Sequence, residues 1–428
     1  MLSFKHRLRS VLFWSVISAA FIGPGTLATA SSAGVSYKLD LAWALVFATF
    51  ACIVLQEMAA RLSIVSHKSL SLILMDGSIR WPAYFVGFSV ILGCAAYQAG
   101  NILGAISGLK VLLPVGDHWL TLSIGLVAAA VLWFGKISIV ARGLGIIVAI
   151  MGLLFIGVAA KVDISFPALL QGSLVPTLPL GSEWLVLGLI GTTIVPYNLF
   201  LGSGIGQGRA LNEMRFGLTV SVVMGGLISI AVLITGTQIN QMTSFTDLAR
   251  LLGNQMGPWA YTMLGLGLFA AGLTSSVTSP LAAGVICQGL FARGEKTGSW
   301  RYYRLGWGVV LVTGLLFGLL GVKPIPIILA AQALNGLILP VVGVVLIVKT
   351  NDPALLKAHI NSRIRNLLGF IVLEILLLIG LHNLWNTLDG LTSFNFPVNW
   401  IKFACLQLVA TPFLVYTFIR VRKNRGKA

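Results

Sequence analysis

Two short stretches of this chain interrupt apolar runs with glycine, proline and polar side chains. The first, GPGT, runs from Gly23 to Thr26, and the second, VPYN, runs from Val195 to Asn198. Glycine and proline are the poorest helix formers, and proline also lacks the N–H that would continue a helix. Each stretch therefore leaves backbone groups without helical partners, and such groups can bind an ion or a small polar molecule.

The residues of both stretches, together with two pairs of amide side chains, form the candidate binding site. The stretches contribute Gly23, Pro24, Gly25, Thr26, Val195, Pro196, Tyr197 and Asn198. The pairs are Gln98 with Asn101 and Gln332 with Asn335, each spaced i,i+3 and so on one helix face. Their alternative role is an ordinary hydrogen bond between helices. The whole set contains no carboxylate, histidine or sulfur atom.

Nothing in the sequence indicates an enzyme or a resident cofactor. No nucleophile–base pair, P-loop or H-E-x-x-H motif is present. The four cysteines, Cys52, Cys94, Cys287 and Cys405, lie in apolar runs without C-x-x-C spacing, which is typical of small core residues. Because no ATP-binding segment is found, any transport must use an ion gradient or run downhill.

The elements that carry these residues are predicted to be membrane-spanning helices. Of 428 residues, 57% are hydrophobic and only 10% charged, and the mean hydropathy is +0.94. Soluble domains carry about 25% charged residues. The apolar runs are long enough to cross a bilayer. About twelve spans are predicted, starting near Val11, Leu41, Pro82, Trp119, Gly143, Trp184, Phe216, Trp259, Tyr302, Ile325, Asn366 and Trp400.

The basic residues indicate topology and argue against a nucleic-acid partner. The chain has 29 Lys and Arg and a formal net charge of +17. With the N-terminus inside, all but six of these residues fall on the inner side, and the six outer ones are Lys38, Lys110, Lys161, Arg250, Lys323 and Lys402. This asymmetry predicts that both termini are cytoplasmic. With no signal peptide evident, a bacterial inner membrane is the expected location.

The two interruptions fall in the first and the sixth spans. A repeat of five spans, inserted a second time in inverted orientation, would place equivalent helices there. Paired Gly/Pro interruptions at corresponding positions are typical of secondary transporters, whose central site lies between the broken helices. We therefore expect an all-α membrane protein with an inverted 5+5 repeat. Residues 1–348 would form the ten-helix core, and residues 349–428 would add two helices and a basic tail.

Several motifs resemble the Nramp family of proton-coupled divalent-metal transporters, which have the leucine-transporter fold. GPGTLATASSAGVSYKLDLAWAL is similar to the family's DPGN segment, and VPYNLFLGSGIGQGR is similar to its MPHNLYLHS…QSR segment. GLTSSVTSPLAAG and AQALNGLILP resemble its eighth and tenth spans. The resemblance implies the fold, and it implies transport of a small ion or solute by symport or another secondary mechanism.

The departures from the family pattern lie in the site. Gly23 and Thr26 stand where the family has the metal-binding Asp and Asn, and Val195 stands where it has Met. The family's third-span acids align with Gln98 and Asn101. A divalent cation leaving water commonly needs a carboxylate, so the neutral site favours a small anion such as bicarbonate or a polar neutral solute.

Other hypotheses stay open beside this one. The alternative cargo is a divalent metal cation, Mg²⁺ or Mn²⁺, held by neutral ligands and retained water. A third hypothesis is a receptor or scaffold that transports nothing. The resemblance also implies a coupling Na⁺ near Gly23, Ser275 and Thr278, unless these hydroxyls only bond carbonyls of their own helix. Glu57 precedes Arg61 by four residues, which predicts an ion pair, and Glu374 lies outside the ten-span core.

Overall fold

The computed structural model describes residues 22–76, 80–134, 137–205, 210–292, 299–392 and 399–426. Throughout these ranges the chain is helical, without β-strands. The helices are α1 (Pro24–Tyr37), α2 (Ala42–Ser66), α3 (Leu70–Met75), α4 (Trp81–Leu112), α5 (Asp117–Phe134), α6 (Ile137–Ala159), α7 (Phe166–Leu174), α8 (Glu183–Thr193), α9 (Pro196–Ile205), α10 (Leu211–Gly236), α11 (Phe245–Met256), α12 (Pro258–Phe291), α13 (Ser299–Leu319), α14 (Pro324–Lys349), α15 (Pro353–Leu356), α16 (Arg363–Thr392) and α17 (Asn399–Arg425).

The spans expected from the sequence are present. Ten segments of the described chain are long and apolar enough to cross a bilayer, and one of them, Glu183–Leu201, contains the second interruption. The apolar helix Gly143–Ala159 and the half-span α1 complete the predicted set of about twelve. The start of the first span, near Val11, lies outside the described residues. The architecture is thus that of an all-α integral membrane protein.

The core is built from closely packed helices with small residues at their crossings. α4 packs along α12, and α14 packs along α8. A Cβ at Gly108 of α4 would lie only 2.6 Å from the carbonyl oxygen of Gly265 on α12, so the two backbones touch. Such contacts give membrane helices the van der Waals packing that lipid cannot supply. Cys52, Cys94 and Cys287 are buried in this core as unpaired thiols, as predicted, whereas Cys405 of α17 is only half-buried.

We predict that Gly191→Ala destabilises the protein, since α8 has no room for a side chain at its crossing with α14. A Cβ there would lie 2.0 Å from the carbonyl oxygen of Gln332 and 2.7 Å from the amide nitrogen of Gly336. Forcing the helices apart is expected to cost ~1–3 kcal/mol. Gly308→Ala on α13 is the matched control, because no atom lies within 4 Å of its Cβ position. Thermal unfolding should separate the two variants, and equal melting temperatures would contradict this packing.

A charged cluster of buried Arg61 with half-buried Glu57 and Arg215 joins α2 to α10. Glu57 Oε1 accepts hydrogen bonds from Arg61 Nε at 3.1 Å and from Arg215 Nε at 3.0 Å. The Arg61 side chain is fully buried and also donates to the carbonyl of His359 and to Asn361 Oδ1. The predicted Glu57–Arg61 pair is therefore confirmed, and it extends to the segment that connects α14 and α16.

The end of the last helix is attached to the same region. Asn361 Nδ2 donates to Asn366 at 2.8 Å, and Asn366 and Asn351 exchange hydrogen bonds of 2.8 and 2.9 Å. Arg425, at the end of α17, donates to Asn351 at 2.8 Å and to the carbonyl of Asn361. The start of α16 and the end of α17 are thus bonded to the connection that follows α14, and Arg61 of α2 bonds to the same connection.

Candidate functional site

The first interruption begins a half-helix at the centre of the molecule. Gly23 precedes α1 in an extended conformation, with φ −110° and ψ −177°, and Pro24 is the first helical residue. Proline fits there because the first residue of a helix needs no N–H partner. The Pro24 ring packs directly on Gly104 of α4, where a Cβ would lie 2.2 Å away. The N-terminus of α1 therefore opens inside the protein.

The second interruption likewise begins a half-helix, within the sixth span. α8 ends at Thr193, Ile194 and Val195 are not helical, and Pro196 begins α9. The backbone N–H of Asn198 donates to the carbonyl of Val195 at 3.0 Å, which closes the first turn of α9. Both half-helices start with proline, and their N-termini carry partial positive charge.

The two interruptions meet across the core. The Thr26 hydroxyl of α1 lies 3.1 Å from the Thr192 hydroxyl of α8, and both residues are buried. Gln332 of α14 closes the third side, since a Cβ at Gly25 would lie 2.2 Å from Gln332 Nε2. Only glycine at position 25 permits this approach. The predicted residues Thr26 and Gln332 therefore come together, beside a hydroxyl that the sequence had not indicated.

Two buried tyrosines cover the site from α4 and α9. The rings of Tyr97 and Tyr197 pack edge to face with centroids 5.4 Å apart, and each side chain is 1% exposed. The Tyr97 hydroxyl faces Thr192 and Gln332, and the Tyr197 hydroxyl faces Thr278. Neither forms a hydrogen bond of standard geometry within the described structure. The aromatic pair thus places two buried phenol groups beside the broken helices.

Several amide atoms around the interruptions also lack hydrogen-bond partners among the described residues. They are Asn101 Nδ2, Asn198 Nδ2, Gln332 Oε1 and both polar atoms of Asn335. These residues are at most 4% exposed. Buried polar atoms in folded proteins are almost always paired, so a cluster of unpaired ones needs an explanation. A polar ligand or ordered water at this position would supply the missing partners.

The remaining predicted residues divide between the site and the helix contacts around it. Asn101 lies one turn before Gly104, the residue that contacts Pro24, so it shares that face of α4. Gln98 is turned toward α12 and donates to the carbonyl of Ser276 at 3.0 Å. Asn335 lies against Gly93 of α4, where a Cβ would be 2.7 Å from its Oδ1. Gln98 thus also serves as the helix-to-helix bond that was its predicted alternative.

Of the two hydroxyls expected to hold a coupling ion, one lies beside the first interruption and the other bonds within its own helix. Ser275 lies next to the first interruption, with Oγ 3.7 Å from the Cβ position of Gly23. Thr278 donates to the carbonyl of Ser275 at 3.4 Å, a bond within its own helix. Ser275 therefore lies beside Gly23, where the resemblance implies a Na⁺ site. Thr278 instead forms the alternative bond, to a carbonyl of its own helix.

Three contributors to the site were missed from the sequence: Tyr97, Thr192 and Gln56. Gln56 Nε2 donates to the carbonyl of Asn198 at 3.4 Å, while its Oε1 has no partner among the described residues. Tyr97 directly precedes Gln98 in AAYQAGN, and Thr192 lies three residues before the second interruption, so both had a positional signal. Gln56 had none, because only the fold brings α2 against α9.

The side chains that meet at the two interruptions include no acidic or basic residue. No group of three or more His, Cys, Asp or Glu side chains lies close enough together to hold a metal ion in the part of the chain described. Glu57 is bound to Arg61 and Arg215, and Glu374 Oε1 accepts from Gln407 Nε2 at 3.2 Å. Val195 is buried and apolar.

Comparisons with known proteins agree with this architecture. The family model described as natural resistance-associated macrophage protein-like matches residues 15–386. The divalent metal cation transporter MntH of Klebsiella pneumoniae strain 342 is 28% identical over 384 residues, which cover 84% of this chain and 90% of that protein. MntH of Yersinia enterocolitica is 27% identical over 396 residues, covering 86% and 92%.

Solved structures share the fold at low sequence identity. The Eremococcus coleocola manganese transporter, crystallised with an aromatic bis-isothiourea compound, superposes with a TM-score of 0.76 at 19% identity, over 99% of this chain and 97% of that one. The nucleobase-cation-symport transporter Mhp1 in a closed conformation gives 0.56 at 13% identity, over 98% and 96%. With two broken helices at matching positions and a family model covering most of its length, the chain belongs to the Nramp family of membrane transporters.

Proposed function

We propose that this protein is a secondary transporter that carries a small inorganic ion or polar solute between its two broken helices. The observation that supports this is the group of buried, unpartnered polar atoms from Tyr97, Tyr197, Asn198 and Gln332 at the junction of α1, α8 and α14. A cargo bound there would satisfy these atoms. The proposal includes the orientation expected from the basic residues, with both termini cytoplasmic.

A divalent metal cation is the cargo that the relatives support. The curated relatives are named divalent metal cation transporters, and the solved structure is a manganese transporter. The side chains at the site would offer such a cation only hydroxyl and amide oxygens. Without a carboxylate to offset its charge, the cation would keep part of its water shell, as Mg²⁺ commonly does in proteins.

A second cargo class, a small anion such as bicarbonate or a polar neutral solute, is favoured by the electrostatics of the site. The N-termini of α1 and α9 present partial positive charge, and the unpartnered Asn101 and Asn198 amides and the two phenols add hydrogen-bond donors. None of the site residues named above is an acid that would oppose an anion. This observation is independent of the relatives, and it is the reason to test both classes.

The test is titration calorimetry of the purified protein with Mn²⁺, Mg²⁺ and bicarbonate, followed by flux of each into proteoliposomes. A metal cargo predicts binding and flux of Mn²⁺ or Mg²⁺, with no response to bicarbonate. An anion cargo predicts the reverse. Repeating the flux with external Na⁺ replaced by choline examines the Na⁺ coupling proposed near Ser275. Absence of flux for every cargo, with the protein folded, would overturn the transporter proposal and favour a receptor or scaffold.

Asn198→Ala is expected to reduce flux of an anion or a polar solute roughly tenfold, which corresponds to the loss of one hydrogen bond donated by Asn198 Nδ2. Asn198 is 4% exposed, and its Nδ2 has no partner in the described structure. Because the backbone bonds of Asn198 remain, the variant should fold normally. The matched control is Asn212→Ala, an exposed asparagine of α10. Equal flux in both variants would place the cargo elsewhere.

A further inference from the structure

A cavity lined by charged and apolar side chains lies where α10 and α16 both flank α2, at the basic end of the molecule. Its volume is about 240 Å³, and its polar lining consists of Glu57, Arg215, Thr219 and Arg365. Ile53 and Leu368 are among its apolar walls. None of these residues belongs to the proposed transport site, and transport gives the cavity no role.

The charge of this cavity is positive. Arg215 and Arg365 line it, and fully buried Arg61 lies behind Glu57, so three guanidinium groups surround one carboxylate. Glu57 is already bonded to Arg61 and Arg215 and has no free capacity to neutralise Arg365. The Arg365 guanidinium has no ion pair with any residue of the described ranges. Among the described residues that line the cavity or lie behind it, a net charge of two therefore remains without a counter-ion.

The surroundings of the cavity are those of a bilayer boundary. Phe216 follows Arg215 and is 38% exposed, and Ile364 and Leu367 flank Arg365 at 71% and 60% exposed. Large exposed apolar side chains beside arginines are typical of helix ends where the hydrocarbon region meets the headgroups. A molecule with both a phosphate and acyl chains would satisfy the arginines and cover these side chains at the same time.

We propose that the cavity between α2, α10 and α16 binds the phosphate of an anionic phospholipid headgroup, with Arg365 and Arg215 as the phosphate-binding residues. Guanidinium groups match phosphate oxygens in shape and charge, and basic cavities between transmembrane helices on the cytoplasmic side are suited to lipid headgroups. Free phosphate would use the same arginines, but it would leave the exposed apolar rim of Phe216, Ile364 and Leu367 uncovered. The bound lipid would tie α16 to the ten-helix core.

The experiment measures stabilisation of the full-length, detergent-purified protein by added lipid. Thermal unfolding is followed while phosphatidylglycerol or phosphatidylcholine is titrated into wild type, Arg365→Gln and Arg363→Gln. Arg363 is the matched control, because it is an exposed arginine two residues away that does not line the cavity. We expect wild type and Arg363→Gln to be stabilised by phosphatidylglycerol only. In Arg365→Gln the half-saturating lipid concentration should rise about fivefold.

Arg365→Lys keeps the charge and should retain most of the preference for phosphatidylglycerol, which separates a binding role from a folding defect. Equal titrations for Arg365→Gln and wild type would overturn the proposal. An equal weakening in Arg363→Gln would overturn it as well, since general surface charge would then explain binding. Displacement of the lipid by inorganic phosphate at matched concentration would assign the cavity to a soluble phosphate instead. Because no measurement uses flux, failure here is distinguishable from failure of the transport proposal.

Discussion

Glu57→Gln is expected to lower the free energy of unfolding by roughly 3 kcal/mol, the scale found when one partner is removed from a buried ion pair. The substitution keeps the shape and one oxygen of the side chain but removes the charge that Arg61 and Arg215 share. The Arg61 side chain is completely buried and would then keep only neutral partners, the carbonyl of His359 and the amide of Asn361. Thermal unfolding and monodispersity on gel filtration measure the loss.

Glu374→Gln is the matched control for this prediction. It makes the same chemical change in another membrane-spanning helix, α16, where the carboxylate accepts a hydrogen bond from neutral Gln407 at 3.2 Å. No cation of the described chain pairs with Glu374. Removing its charge should leave stability unchanged or raise it, because an unpaired carboxylate in the membrane is costly. Equal stability of both variants would mean that water screens the Glu57 cluster as it does a surface pair.

The positions of the broken helices could be predicted from the sequence because their cause is local. Pro24 and Pro196 cannot donate a helical hydrogen bond, and the glycines beside Pro24 add backbone freedom. Both half-helices begin at these prolines in the structure. The number of spans was predictable for a similar reason, since each apolar run must satisfy its own backbone inside the membrane.

Side-chain partners across the core could not be predicted in the same way. Arg61 and Asn361 are 300 residues apart, and their hydrogen bond depends on how α2 meets the connection after α14. Gln98 and Asn101 share one helix face, yet the Gln98 amide is turned toward Ser276 because α12 packs there. Tyr97 contributes to the site, although the sequence pattern indicated only its neighbour Gln98. Helix packing determines which partner each of these side chains bonds, and a single sequence does not show that packing.

The family of this chain and its cargo are decided by different residues. The family follows from motifs spread over the chain, whereas cargo is decided by a few side chains at the site. At that site the resemblance of the motifs places Gly23, Thr26 and Val195 where the family has metal ligands, which stays a prediction. The relatives and the site chemistry therefore support different cargo classes, and a substitution at one of these positions can decide between them.

Gly23→Asp is the substitution with the largest expected effect on cargo binding. Position 23 can accept a side chain, because its φ of −110° is ordinary and the closest atom to a Cβ there is Ser275 Oγ at 3.7 Å. Aspartate is also a favourable residue before a helix N-terminus, so α1 should form normally. A carboxylate at this point would meet a divalent cation directly. Binding of Mn²⁺ should tighten at least about tenfold, or ~1.4 kcal/mol.

Gly23→Asn separates charge from shape, since it adds the same number of atoms without the negative charge. For a metal cargo, Mn²⁺ binding by titration should follow the order Asp, then Asn, then wild type. For an anion cargo, Gly23→Asp should abolish bicarbonate flux while Gly23→Asn retains it. If neither substitution changes binding or flux of any cargo, the first interruption does not contact the cargo, and the unpartnered atoms around Gln332 and Tyr97 would serve only to hold water.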